Sequence, residues 1–230
     1  MSSAPALRAV VSWSGGKDSC LAAQLAAEQG IVLEALLCMF EPDADRSRSH
    51  ALPEWIVRAQ AAAAGLPLVM PRAGWSDYES RLVSALRDQA ARGVDTVIFG
   101  DIELEEHRQW EERVCATAGL SARWPLWRRP TLEVAAAALA HGIDAICVCV
   151  NGRHLPESFC GRRWNRDFID DLPAGVDPCG EQGEFHTCVV AAPLFRQPVA
   201  VRVTGRISER APESLGGDVY WYAQLEQAHV

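Results

Sequence analysis

Ser14-Gly15-Gly16-Lys17-Asp18-Ser19 gathers two glycines, a lysine, a carboxylate and two hydroxyls into six residues, directly after the apolar run Ala9-Val10-Val11. That set of groups suits a triphosphate. Glycines let the backbone bring its N–H groups onto phosphate oxygens, and a helix starting near Asp18 would add its unpaired N–H groups and positive dipole end. Lys17 would supply a mobile positive charge, and Ser14 and Ser19 hydroxyl hydrogen bonds. Asp18 would either cap the helix or meet a magnesium ion held by the phosphates. The spacing is not that of the Walker loop, which needs four residues between its first glycine and Gly-Lys, then Ser or Thr. Here Asp18 follows Lys17. Gly15-Gly16 could serve as a plain turn, but the Lys-Asp-Ser that follows has no packing reason, so the loop predicts an ATP site.

A second polar concentration, Asp177-Pro178-Cys179-Gly180-Glu181-Gln182-Gly183-Glu184-Phe185-His186-Thr187, precedes the apolar Cys188 to Val190. Carboxylates three residues apart in a loop can orient an amine, bind magnesium or act as a base. A hairpin with solvated acids would give the same pattern.

The elements around these motifs alternate. Ala9 to Trp13 reads as a buried strand, Ser19 to Gln29 as a helix ended by Gly30, and Ile31 to Phe40 as a second strand. Ala51 to Ala64 reads as an alanine-rich helix stopped by Gly65, before the short strand Leu66 to Met70. Helix Ser76 to Arg92, strand Thr96 to Phe99, helix Glu106 to Ala118 and the segment Ser121 to Trp127 follow. This order predicts an α/β fold, a parallel sheet with helices on both faces and ligands at the carboxyl ends of its strands, where Ser14 to Ser19 falls. Beyond Pro125 come a helix, Thr131 to His141, and a strand, Ala145 to Val150. A loop-rich stretch to Gly183 leads to short strands at Thr187 to Ala191, Val199 to Thr204 and Val219 to Leu225. We place the boundary of an ATP-binding domain, 1–120, and a smaller α+β substrate domain, 121–230, in between.

At 230 residues and 49% hydrophobic the chain can bury a substantial core. Its net charge of −8 argues against nonspecific nucleic-acid or anionic-membrane binding. No apolar run reaches membrane-span length and no apolar leader follows basic residues, so the expectation is a cytoplasmic protein. Eight cysteines include no Cys-x-x-Cys pair and sit in apolar surroundings, as reduced core residues do. Cys179, inside the polar motif, is the exception.

The first loop resembles that of the ATP pyrophosphatase, or PP-loop, superfamily, whose members cleave ATP between the α and β phosphates. Together the two motifs resemble the diphthine–ammonia ligase family, which joins Ser-Gly-Gly-Lys-Asp-Ser to a later Gly-Glu-x-Gly-Glu-Phe. The likeness also takes in Gly65-Leu66-Pro67-Leu68, Gly100 to Arg108, Pro125-Leu126-Trp127, Gly161-Arg162 and Pro193-Leu194-Phe195. It implies a HUP-like, Rossmann-like nucleotide-binding domain. It also implies an ATP-dependent ligase that adenylates a carboxylate, releases pyrophosphate with Mg2+ as helper, and amidates the acyl-adenylate with ammonia. The carboxylate is borne by a small molecule or by a protein, and a homodimer is compatible.

In that scheme Ser14 to Ser19 hold the phosphates, Met39 reads the adenine edge through its backbone, and Gly100 and Asp101 complete the nucleotide site. Glu181 and Glu184 face the reacting carboxyl and take the ammonium proton. Arg108 contacts phosphate or substrate carboxylate, while Trp127, Arg162, Gly183 and His186 line the substrate side; His50 matches a family position. Gln182, Asp101 and His107 stand where the family usually has glycine, a small residue and glutamine. ATP activation therefore transfers more directly than diphthine, and a corrinoid or other small carboxylate fits the same chemistry. Three readings compete. A tRNA-thiolating enzyme would need paired cysteines and a basic module, a glutamine amidotransferase a glutaminase domain, and a non-catalytic nucleotide sensor neither.

Overall fold

The computed structural model describes residues 6–211, 213 and 217–228. Its first half alternates β1 (Arg8–Ser12), α1 (Lys17–Glu28), β2 (Val32–Leu37), α2 (Glu54–Ala64), β3 (Leu68–Val69), α3 (Tyr78–Ala90), β4 (Thr96–Ile98), α4 (Glu105–Ala118) and β5 (Ser121–Arg123). All pairings among these strands are parallel, in the order β3-β2-β1-β4-β5. Ala9, Val10 and Val11 are fully buried because helices cover the sheet on both sides. α3 and α4 pack on each other over one face, where Val10, Leu37, Leu86 and Val114 share a core.

The second half opens with α5 (Thr131–Ala140) and β6 (Asp144–Asn151), then β7 (Arg163–Trp164), α6 (Arg166–Asp170), β8 (Phe185–Ala191), β9 (Val201–Arg210) and β10 (Val219–Gln227). These strands form an antiparallel sheet around β6, which pairs with β7, β8 and β10, while β9 lies outside β10. The stretch read from sequence as loop up to Gly183 thus contains a 3-10 turn, Glu157–Phe159, and the two short elements β7 and α6. β7 exists only as the partner of Ala145 and Ile146. α6 is a single turn started by Asn165, whose side chain accepts from the Phe168 amide at 2.9 Å. Neither is long enough to leave a periodic pattern.

One hydrophobic core runs through both halves, joining Val11, Leu21 and Ile56 to Ile146, Phe168, Phe185 and Val189. α1 packs on α5 and β8, so the start of α1 lies against the second sheet. No helix among the described residues is long and apolar enough to cross a membrane.

Candidate active site

The β1–α1 loop is clamped from two directions. Gly15 has φ +83°, a conformation natural to glycine, and its carbonyl accepts from Val189 N at 2.9 Å and from Gln60 Nε2 at 3.0 Å. Gln60 is fully buried on the apolar face of α2 and also donates to Val189 O, while it accepts from Trp13 Nε1. The Lys17 amide donates to Thr187 Oγ1 at 3.1 Å. Within the loop, Ser14 Oγ meets Ser19 Oγ at 3.0 Å and accepts from Gly16 N at 3.2 Å. The amides of Asp18 and Ser19 precede the hydrogen-bond ladder of α1, which is the arrangement that receives an anion.

Gly100, at the end of β4, lies against this same turn. A Cβ there would stand 2.7 Å from Ser19 N and 2.9 Å from the Asp18 carbonyl carbon, so only glycine lets the strand end approach the helix start.

Lys17 does not reach freely into the phosphate side. Its ammonium donates to Asp18 Oδ2 at 2.8 Å and to the Cys179 carbonyl, with the rings of Trp164 and Phe185 at 5.4 and 5.5 Å. Burial is the largest influence and would lower its pKa, but Asp18, Cys179 and Glu181 together outweigh it and the net shift is upward, so the side chain stays charged. Asp18 Oδ1 is buried with no hydrogen-bond partner among the described residues.

The 177–187 loop comes over this lysine. Its two glutamates, alike in sequence, have separate fates. Glu184 is 1% exposed and turned into its own loop, accepting from Asp177 N at 3.0 Å through one oxygen and from Gln182 N at 2.9 Å through the other. The expectation that Glu184 faces the reacting carboxyl is corrected by these bonds, which brace the loop and leave the side chain outside the cavity. Glu181 lines the cavity, and burial pushes its carboxyl up to about 8, with Asp18, Asp101 and Asp177 adding to the rise and Lys17 opposing it. Asp177 holds the turn by accepting from Cys179 N at 2.7 Å. Cys179 is buried, donates to Thr131 O at 3.3 Å, and burial raises its thiol far from the reactive range.

His50 and His186 stack with centroids 4.6 Å apart, and His50 Nδ1 donates to Thr187 O at 2.7 Å. Burial lowers both, His186 to about 4 and His50 well below its ordinary value with His186 adding to the effect, so both rings are neutral near pH 7.

Together these elements enclose a cavity of about 800 Å3. Ser14, Lys17, Asp18, Ser19, Met39, Gly100, Asp101, Glu181, Gly183 and His186 all line it, from both halves of the chain. The Met39 carbonyl accepts from Arg48 N at 2.9 Å, and its N–H has no partner among the described residues. Gly15 and Gly16 shape the loop from behind.

Three expected substrate contacts fall elsewhere. Arg108 lies over Trp124 and Trp127, at 4.9 and 4.8 Å, and bonds to Glu112 one helical turn on. Trp127 serves as that stacking surface. Arg162 pairs with Asp171 at 2.6 Å and covers Phe159. The cavity wall instead includes residues the sequence reading passed over: Arg48, Tyr78, Trp110 and Glu111, with Trp75 79% exposed at the rim. Only Gln60, a lone polar residue among Ile56, Val57 and Ala61, left a signal that could have been read.

Residues 7–122 match the family model for the diphthamide synthase N-terminal domain, and residues 132–215 that for the diphthamide synthase C-terminal domain. The chain belongs to the diphthamide synthase family. Its curated relatives include a diphthine–ammonia ligase of Danio rerio, 27% identical over 86% of this chain and 88% of the relative. Another, from Rattus norvegicus, is 25% identical over 82% of this chain and 80% of the relative. A solved Methanocaldococcus jannaschii structure, described as a predicted subunit of a tRNA methyltransferase, aligns with TM-score 0.41 and 14% identity, covering 81% of this chain and 98% of that one. In this diphthamide synthase family member, the N-terminal unit supplies the Ser14–Ser19 loop and the C-terminal unit Glu181.

Proposed function

We propose that the protein is an ATP-dependent ligase that adenylates a substrate carboxylate, releases pyrophosphate and amidates the acyl group with ammonia. The observation that carries this reading is the convergence, in one cavity, of the Ser14–Ser19 loop with Glu181. The names of the curated relatives support it.

In this reading the amides of Asp18 and Ser19 and the hydroxyls of Ser14 and Ser19 hold the phosphates, and the Met39 N–H reads the adenine edge. Lys17, tied to the Cys179 carbonyl, fixes the second loop over the α phosphate and lends positive charge as the α–β bond breaks. A buried, unpartnered Asp18 Oδ1 suits a magnesium ion. No three His, Cys, Asp or Glu side chains among the described residues form a metal-holding group, so phosphate and water would complete its shell. When bound, that ion would offset charge on the leaving pyrophosphate. Glu181, with its carboxyl near neutrality, accepts a proton as ammonia attacks the acyl-adenylate and AMP departs. The carboxylate is a small molecule or a protein side chain that enters past Trp75.

The test incubates the protein with ATP, Mg2+, ammonium and candidate carboxylates, diphthine-bearing protein and small acids alike, and follows nucleotide products. AMP and pyrophosphate in step with amide are expected; ADP and phosphate, or ATP binding without turnover on any acid, would sink the proposal.

A further inference from the structure

Two permanent cations line the cavity, Lys17 and Arg48. Lys17 is paired with Asp18 at 2.8 Å. Arg48 bonds only to backbone among the described residues: Nε and Nη2 donate to the Ala73 carbonyl at 3.0 and 2.6 Å, and its amide donates to Met39 O at 2.9 Å. Its guanidinium lies over the Trp75 ring, 4.5 Å from the centroid. These contacts fix the group and leave its Nη1 edge with a charge that no described carboxylate offsets. Glu79, an acid on the same wall, is already taken by Trp110 Nε1 at 2.7 Å and Arg113 at 3.1 Å.

Trp75 is 79% exposed, the most open of the large apolar side chains described. Tyr78 stacks on it at 6.1 Å, and Trp110 packs on Tyr78 at 6.0 Å, so an aromatic wall runs from inside the cavity to its rim. An indole left open in this way gains contact area when a flat group lies on it. A fixed guanidinium with a free edge suits a carboxylate, which it can bind through two parallel N–H groups. In the ligase reading the Ser14–Ser19 loop holds the polyphosphate, so an anion at the rim comes from the other reactant.

We propose that Arg48 and Trp75 form the recognition subsite for the acyl substrate, and that this substrate is a small flat acid carrying at least two anionic groups. One carboxylate is activated beside the phosphate loop, the second anion pairs with Arg48, and the skeleton between them stacks on Trp75. The assignment of this ligand as the acyl substrate rests on the ligase reading above. The same fixed charge selects against acids that carry a cation at that end.

The probes are isophthalate, flat with two carboxylates; benzoate, flat with one; and N-methylnicotinate, whose carboxylate sits on a cationic ring. Calorimetry on ligand-free protein is expected to show isophthalate binding about tenfold tighter than benzoate, and N-methylnicotinate weaker than either. Arg48→Gln, whose amide can still donate to Ala73 O, should bring isophthalate to the level of benzoate, and Arg48→Lys should restore most of the difference. Trp75→Leu should weaken isophthalate and benzoate alike by about fivefold. Equal binding of the three acids, or an isophthalate preference that survives Arg48→Gln, overturns the proposal; unchanged affinities in Trp75→Leu overturn the flat skeleton. Isophthalate should bind equally well beside α,β-methylene-ATP, and competition between them would place the second anion on the Ser14–Ser19 loop and overturn the subsite. If the analogue does not bind, or if no acid yields AMP and pyrophosphate with ATP, the ligase reading falls, while the Arg48 dependence of isophthalate binding still decides the anion subsite.

Discussion

The Ser14–Ser19 loop takes its shape from backbone and from partners 170 residues away and more, whereas the 177–187 loop takes its shape from its own carboxylates. In the first, Val189, Gln60 and Thr187 hold the chain, the Ser14 and Ser19 hydroxyls bond to each other within the loop, and the Asp18 and Ser19 amides stay available for ligand. In the second, Asp177 and Glu184 are used up bracing the turn, and Glu181 alone among its acids faces the cavity without such a task. A phosphate site can be made of N–H groups that any sequence supplies once the backbone is held. A proton-transfer site needs one side chain of altered pKa, which a rigid loop must present.

The largest effect that would break or sharpen this comparison is on Glu181. Glu181→Gln is expected to lower amide formation by about 10²–10³-fold, with ATP affinity within about twofold of wild type. At fixed free ammonia, the wild-type rate should climb with pH until Glu181 is ionised near pH 8, and the variant should lack that limb. A similar loss in Glu184→Gln with an unchanged thermal midpoint would erase the distinction between the two glutamates.

Glu184→Gln should act on stability instead. It puts an amide N–H against one of the two backbone N–H groups now satisfied, at about 2–3 kcal/mol, read from denaturant unfolding. The folded fraction should still turn over.

Next comes acid. The folded pKa of His186 lies below its unfolded value, so its neutral-state stability is complete above about 6.5 and is lost as pH falls through about 4. Unfolding free energy should drop on the order of 3 kcal/mol across that window from His186 alone, with His50 adding to it, and His186→Phe should remove the His186 share. A flat wild-type profile would mean that the stacked His50–His186 pair does not brace the seam.

The smallest effect expected is that of Thr187→Val, which removes the acceptor of the Lys17 amide. A loss of about 1 kcal/mol and up to about fivefold in ATP affinity would tie the first loop to β8. An unchanged affinity would show that Val189 and Gln60 suffice.

Much of the architecture was legible. Strands such as Ala9-Val10-Val11 are apolar on both faces, and Gly65 and Gly119 stop α2 and α4, so element order and sheet class follow from local pattern. β7 and α6 were not legible, since tertiary pairing alone sustains them. Within the candidate site, the loop residues were readable because phosphate chemistry restricts composition over six neighbours. Arg108 was misplaced because a cation on a helix gives no sign of whether it will face a cavity or lie on Trp124 and Trp127. Glu111 was invisible for the mirror reason, as a carboxylate in a charged helix reads as solvated.

By itself the sequence determined the parallel α/β layout and the place of the Ser14–Ser19 loop at a strand's carboxyl end. Those properties are local, set by side-chain period, glycine placement and the types of groups in a row. Tertiary structure alone decided that Glu181 faces the cavity while Glu184 holds the turn, that Lys17 bridges to Cys179, and that Asp101 and Glu111 share a wall. Orientation and pKa depend on burial and on neighbours distant in sequence, and the chain acquires both only when the second sheet closes on α1.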